Sequence, residues 1–206
     1  MRKDNFEKEL PSDYTQVKYL NAKDVKLGVI LNLIALLVLI AVMAVAFLLL
    51  GFKGDGMNTE IGVAELASFS IAMLVPLVAM VAYIVLHELV HGAAYKALTG
   101  ERLTFGMSWS CAFCGVPSIY TYRKCALVAV AAPFLLFTLI FIPTLALLYV
   151  FSPLYFLIFS FIFGLHLGGC SGDLYVMYLL LVKFKDKRTL MRDTGPEQFF
   201  YVPNSD

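Results

Sequence analysis

Five consecutive residues, His87-Glu88-Leu89-Val90-His91, carry the clearest chemistry in the chain. On a helix, residues four apart share a face. Both imidazoles therefore reach one ion, and Glu88 projects beside it. This is the H-E-x-x-H arrangement, two histidine ligands with a carboxylate as general base. Zinc suits such a donor set, and it lowers the pKa of a bound water toward about 7, which supplies hydroxide at neutral pH. A catalytic zinc site needs three protein ligands and an open position. Asp173 is the only charged residue between Lys124 and Lys183, and a lone carboxylate in an apolar run needs a partner. It follows Gly168-Gly169-Cys170-Ser171-Gly172, small residues that let helices approach closely or bend. His166 lies seven residues earlier and shares a helical face with Asp173, so it is the alternative third ligand, a supporting partner or a channel group. Depth ranks Asp173 first, because His166 would lie about 10 Å further along the helix at about 1.5 Å per residue.

The elements that must hold these groups are apolar. Of 206 residues, 60% are hydrophobic and 15% charged, against about 25% charged in a soluble domain. The mean hydropathy is +0.80. These figures exclude a disordered chain, a nucleic-acid binder and an ordinary soluble enzyme. They indicate an all-α membrane protein whose single membrane domain, 27–182, has four spans at about 27–50, 64–97, 125–150 and 154–182, each at least as long as the ~20 residues a bilayer core requires. Residues 1–26 form an N-terminal arm and 183–206 a tail. The first apolar run is too long for the ~7–15-residue core of a signal peptide and reads as an anchor that stays.

Charge orients the spans. The arm, the 96–124 segment and the tail carry fifteen Lys and Arg, whereas the turn after the first span carries only Lys53. Both termini and the middle loop are expected on the cytoplasmic side of a cell membrane. Within that loop, Leu103 to Ser110 is rich in β-formers and small residues, so a short hairpin or re-entrant segment is expected between the second and third spans. Phe105, Trp109 and Phe113 would sit at headgroup level. Cys111-x-x-Cys114 has no second pair to complete a zinc site, and the four cysteines do not make a disulfide framework.

Val85-Leu86-His87-Glu88-Leu89-Val90-His91-Gly92 resembles the signature of the DUF3267 family of zincin metallopeptidases. These are small, mostly bacterial multi-pass proteins similar in plan to site-2 proteases. The resemblance continues through Phe105-Gly106, Cys114, Pro117, Ala131-Ala132-Pro133 and Gly169-Cys170-Ser171-Gly172-Asp173, and reaches Asp193-Thr194-Gly195 and Phe200-Tyr201. It implies zinc held by His87 and His91, Glu88 as base and a last-span carboxylate ligand, which falls on Asp173. Site-2 proteases carry Asn-Pro ahead of Leu-Asp-Gly; here Ser-Gly precedes the Asp.

Two functions follow as expectations. The first is a membrane-embedded zinc metallopeptidase that hydrolyses membrane or membrane-proximal peptide segments, with the loop over Gly100 to Lys124 presenting the substrate as an added strand. The second is a non-proteolytic metal-binding membrane protein that senses, scaffolds or moves a divalent ion. Lipid and a peptide or transmembrane segment are the expected partners, and nucleic acid is not.

Overall fold

The computed structural model describes residues 5–53, 63–107 and 112–204, with the backbone alone over 63–76. The turn expected around Trp109 and Cys111 lies outside the described residues, as do Asp55 and Glu60.

Among the described residues, four helical stretches are long and apolar enough to cross a membrane, at Val25–Lys53, Leu77–Thr99, Arg123–Phe151 and Pro153–Lys183. Helix α1 (Val25–Lys53) starts at Asp24, whose carboxylate accepts from the backbone N–H groups of Lys26 and Leu27 at 2.8 and 3.3 Å, a capping role short acidic residues favour. Helix α2 spans Val63–Thr99 and α3 spans Arg123–Phe151. Helix α4 (Pro153–Gly169) opens with Ser152 as its cap and Pro153 in its first turn, where a missing N–H costs nothing. It pauses at Cys170, and the chain restarts as α5 (Ser171–Tyr178) with Asp173 in the first turn. A π-helical turn follows over Leu179–Lys183, and Arg123 Nε donates to the Leu180 carbonyl at 2.6 Å.

The chain is not purely helical, which corrects the all-α expectation. The strands are β1 (Phe6–Glu7), β2 (Tyr14–Asn21), β3 (Thr104–Met107), β4 (Ala112–Gly115), β5 (Tyr120–Tyr122), β6 (Leu190–Asp193) and β7 (Glu197–Pro203). They form a five-stranded sheet in the order β1-β5-β6-β7-β2 and a separate β3-β4 pair. The sheet draws strands from the arm and the tail, for which the sequence pattern predicts no regular structure. Each of these segments holds aromatic and β-branched residues, as in Tyr-Thr-Gln-Val-Lys-Tyr over 14–19 and Phe-Phe-Tyr-Val over 199–202, which suit a pleated, half-buried surface. Antiparallel partners far apart in the sequence then join them, with Tyr14 opposite Pro203 and Asn21 opposite Glu197. The hairpin expected in the middle loop is present, with Thr104 opposite Gly115 and Met107 opposite Ala112.

Two compact units divide the chain. One comprises Met1–Leu31, Val85–Phe134 and Gly172–Asp206. Its core packs Leu20, Met191 and Phe200 of the sheet against Ala126, Val130, Val176, Leu179 and Leu180 of the helices. A second cluster joins Tyr95, Val116, Ile119 and Ala129. The other unit comprises Asn32–Ile84 and Leu135–Ser171, and Ala46, Leu50 and Phe156 are buried in its core. There, a Cβ on Gly168 would sit 2.9 Å from the Ala35 Cα, so only glycine permits the two backbones to approach so closely. Leu139, Phe151 and Phe52 are among the large apolar side chains left exposed in this unit.

Candidate metal centre

The first unit brings three of the candidate residues together. His87 and His91 lie one turn apart on α2, both 8% exposed, and their rings meet edge to face at 4.9 Å. Asp173 reaches them from the first turn of α5. Its Oδ2 lies 3.1 Å from His87 Nε2 and its Oδ1 lies 3.4 Å from His91 Nε2. The three ligand atoms all fall within 4.8 Å of one another.

The far side of the His91 ring fixes which nitrogen faces the cluster. A carbonyl can only accept, so His91 Nδ1–H donates to the backbone oxygen of Ala129, 2.9 Å away. In a neutral imidazole the lone pair then sits on Nε2, toward Asp173. Metal-ligating histidines are commonly held in this way. That carbonyl is available because the residue four positions later is Pro133, which has no N–H to close the helical bond. The exposed lone pair of His91 and the Asp173 carboxylate are both acceptors, and a cation between them removes their repulsion. The donor set therefore fits a divalent metal, and two imidazoles with a carboxylate suit zinc.

Glu88 stands next to His87 and is partly buried. Its carboxylate accepts a hydrogen bond from the backbone N–H of Cys114 on β4. On the other strand of the hairpin, the ring of Phe105 lies over Gly92, so the β3-β4 pair packs on the helix turn that carries the histidines.

His166 belongs to the second unit. Its Nδ1 meets the Tyr83 hydroxyl at 2.7 Å and its Nε2 meets the Thr138 hydroxyl at 3.0 Å. Cys170 Sγ lies 3.7 Å from Nδ1, and Phe137, Phe141 and Phe163 surround the ring. His166 is fully buried.

A family model, DUF3267, described as "Putative zincin peptidase", matches residues 80–188, more than half of the chain. The chain belongs to the DUF3267 family. No curated protein and no solved structure matches it. The DUF3267 match spans His87, Glu88, His91, Ala129, Pro133 and Asp173 and stops short of β6 and β7.

Two contacts around the centre of this DUF3267 chain escape a reading of residue types, and a third does not. The Ala129 carbonyl is backbone, although Pro133 marks it to a reader who asks which carbonyl a proline orphans. The Cys114 N–H is also backbone and leaves no trace in the sequence. Tyr95 is legible, four residues after His91 and so on the same helical face. Its buried hydroxyl donates to Asp193 Oδ2 at 2.8 Å. Burial pushes the Asp193 carboxyl up to about 6. Burial also pushes the Cys114 thiol up to about 12, with the nearby Asp193 and Glu88 carboxylates adding to the effect.

Proposed function

We propose that this chain is a membrane-embedded zinc metallopeptidase that cuts peptide bonds of membrane or membrane-proximal segments. The observation that carries the reading is the convergence of His87 Nε2, His91 Nε2 and the Asp173 carboxylate beside Glu88. Membership of a zincin family supports it. Four helices of spanning length support a multi-pass location, and the fifteen-to-one split of basic residues supports cytoplasmic termini.

His87, His91 and Asp173 would hold the ion. Bound there, zinc supplies a Lewis acid for a peptide carbonyl and lowers the pKa of water toward about 7. The Ala129 carbonyl orients the His91 ring and keeps Nε2 as its ligand atom. Glu88 is the general base: its carboxylate takes a proton from the attacking water and returns it to the amine nitrogen that leaves. The Cys114 N–H holds that carboxylate in place. The loop over Gly100 to Lys124 presents an extended substrate as an added strand, the strand-addition mode of peptide recognition.

The test is metal analysis of the purified protein together with cleavage assays on wild type and Glu88→Gln. The expected result is one zinc per chain in both and hydrolysis only in the wild type. A wild type that holds no zinc, or a Glu88→Gln variant that cleaves as fast, defeats the proposal.

A further inference from the structure

The tail turn after β6 touches both elements that flank Glu88. Asp193 is 5% exposed, and its carboxylate makes two bonds. Oδ2 accepts from the hydroxyl of Tyr95 on α2, and Oδ1 accepts from the Gly195 N–H at 2.9 Å. The backbone carbonyl of the same residue accepts from the N–H of Val116, just past β4, at 2.8 Å. Arg192 Nε donates to the Pro117 carbonyl at 3.0 Å. At Gly115, the last residue of β4, a Cβ would lie 2.2 Å from the Gly195 nitrogen. Gly195 has φ +100, and a Cβ there would strike the Phe113 ring at 2.4 Å. The two glycines thus allow the turn and the strand to meet backbone to backbone.

From these contacts we infer that Asp193 is a positioning residue, a clamp by which the C-terminal tail fixes β4 against α2 and so keeps the Cys114 N–H on the Glu88 carboxylate. The inference rests on the peptidase reading for its consequence, although the clamp itself is a matter of structure. It assigns a working role to a tail that lies beyond the family match. Neither α2 nor the short β3-β4 pair supplies the link unaided, because an isolated two-stranded hairpin is marginal.

Cys114 reports on the clamp independently of catalysis. It is buried on β4, and its raised thiol pKa keeps the reactive thiolate scarce. The experiment is alkylation of the full-length, detergent-solubilised protein with N-ethylmaleimide, each cysteine read separately by peptide mass spectrometry. Asp193→Ala orphans the buried Tyr95 hydroxyl and the Gly195 N–H, whereas Tyr95→Phe removes one hydroxyl and leaves the fold otherwise intact. The Cys114 rate is expected to rise about tenfold in Asp193→Ala and about threefold in Tyr95→Phe as β4 opens locally. Cys125, buried on α3, should stay within about twofold of wild type. In a cleavage assay kcat should fall in the same order, with bound zinc retained.

An unchanged Cys114 rate in both variants overturns the clamp. So does a parallel rise at Cys125 in both, which would mean general loosening. If the Cys114 rate rises as expected but the wild type hydrolyses nothing, the clamp stands and the peptidase reading falls. If hydrolysis depends on Glu88 while the Cys114 rate is unmoved, the peptidase reading stands and the clamp falls.

Discussion

Two groups of buried histidine in this molecule look alike in the sequence and differ in their surroundings. His87 and His91 face a carboxylate, and His91 spends its Nδ1 proton on a backbone carbonyl. His166 sits among phenylalanine rings with hydroxyls at both nitrogens. A hydroxyl can donate or accept, so His166 is satisfied as a neutral ring without any ion. A carboxylate cannot donate, so the lone pair that neutral His91 turns toward Asp173 requires either a proton or a cation. Burial alone does not distinguish a ligand from a packed histidine; the chemical type of the partner does.

The largest effects should come from breaking the first arrangement. His91→Ala or Asp173→Ala should leave a two-ligand remnant, and zinc per purified chain should drop from about one to near zero. Zinc retained in both variants would show that the ion, if present, is held elsewhere. Glu88→Gln keeps the ligands but removes the base, so kcat should fall by about a thousandfold with zinc unchanged. Dialysis against a chelator should abolish hydrolysis, and added zinc should restore it.

A smaller effect of another kind is expected in the second arrangement. His166→Phe removes the shared partner of the part-buried Tyr83 and Thr138 hydroxyls, at a cost of about 1–3 kcal/mol. The thermal midpoint should fall while the zinc content stays at the wild-type value. Loss of zinc from this variant would erase the contrast between the two groups and return His166 to the ligand set.

This contrast also explains what the sequence could and could not reveal. Spacing placed His87 and His91 on one face, and the scarcity of charge singled out Asp173, because both are properties of side-chain types along one helix. The hairpin was legible from local composition over residues 103–110. The five-stranded sheet was not, because β2 finds its partner β7 almost the full length of the chain away, and neither strand is apolar enough to declare a buried face. The partners of His166 were equally hidden. Tyr83 and Thr138 lie 83 and 28 residues from it, and tertiary packing alone brings them together. Asp193 stands out in the sequence only within the Asp193-Thr194-Gly195 part of the family resemblance; its two hydrogen bonds depend on where the sheet sets it down.

The finest test concerns the proline. Pro133 is fully buried within α3, where a helix ordinarily disfavours it by about 3 kcal/mol relative to alanine. Its compensation is the Ala129 carbonyl, which no helical N–H claims and which holds His91 Nδ1. Pro133→Ala restores that N–H as a competitor, so the imidazole loses its exclusive acceptor and its preferred tautomer weakens. Outer hydrogen bonds of this sort are worth about tenfold or more in metal affinity. Zinc binding, measured by competition with a chelator, should therefore weaken by about tenfold. The thermal stability of the metal-free protein should not fall with it, since the gain in helix propensity offsets the lost packing of the ring. Pro143→Ala, further along the same helix in the second unit, is the control and should leave zinc affinity unchanged. If Pro133→Ala binds zinc as tightly as wild type, the carbonyl does not tune His91. If the two proline variants weaken binding equally, the cause is a change in the helix at large and not the group that Pro133 sets free.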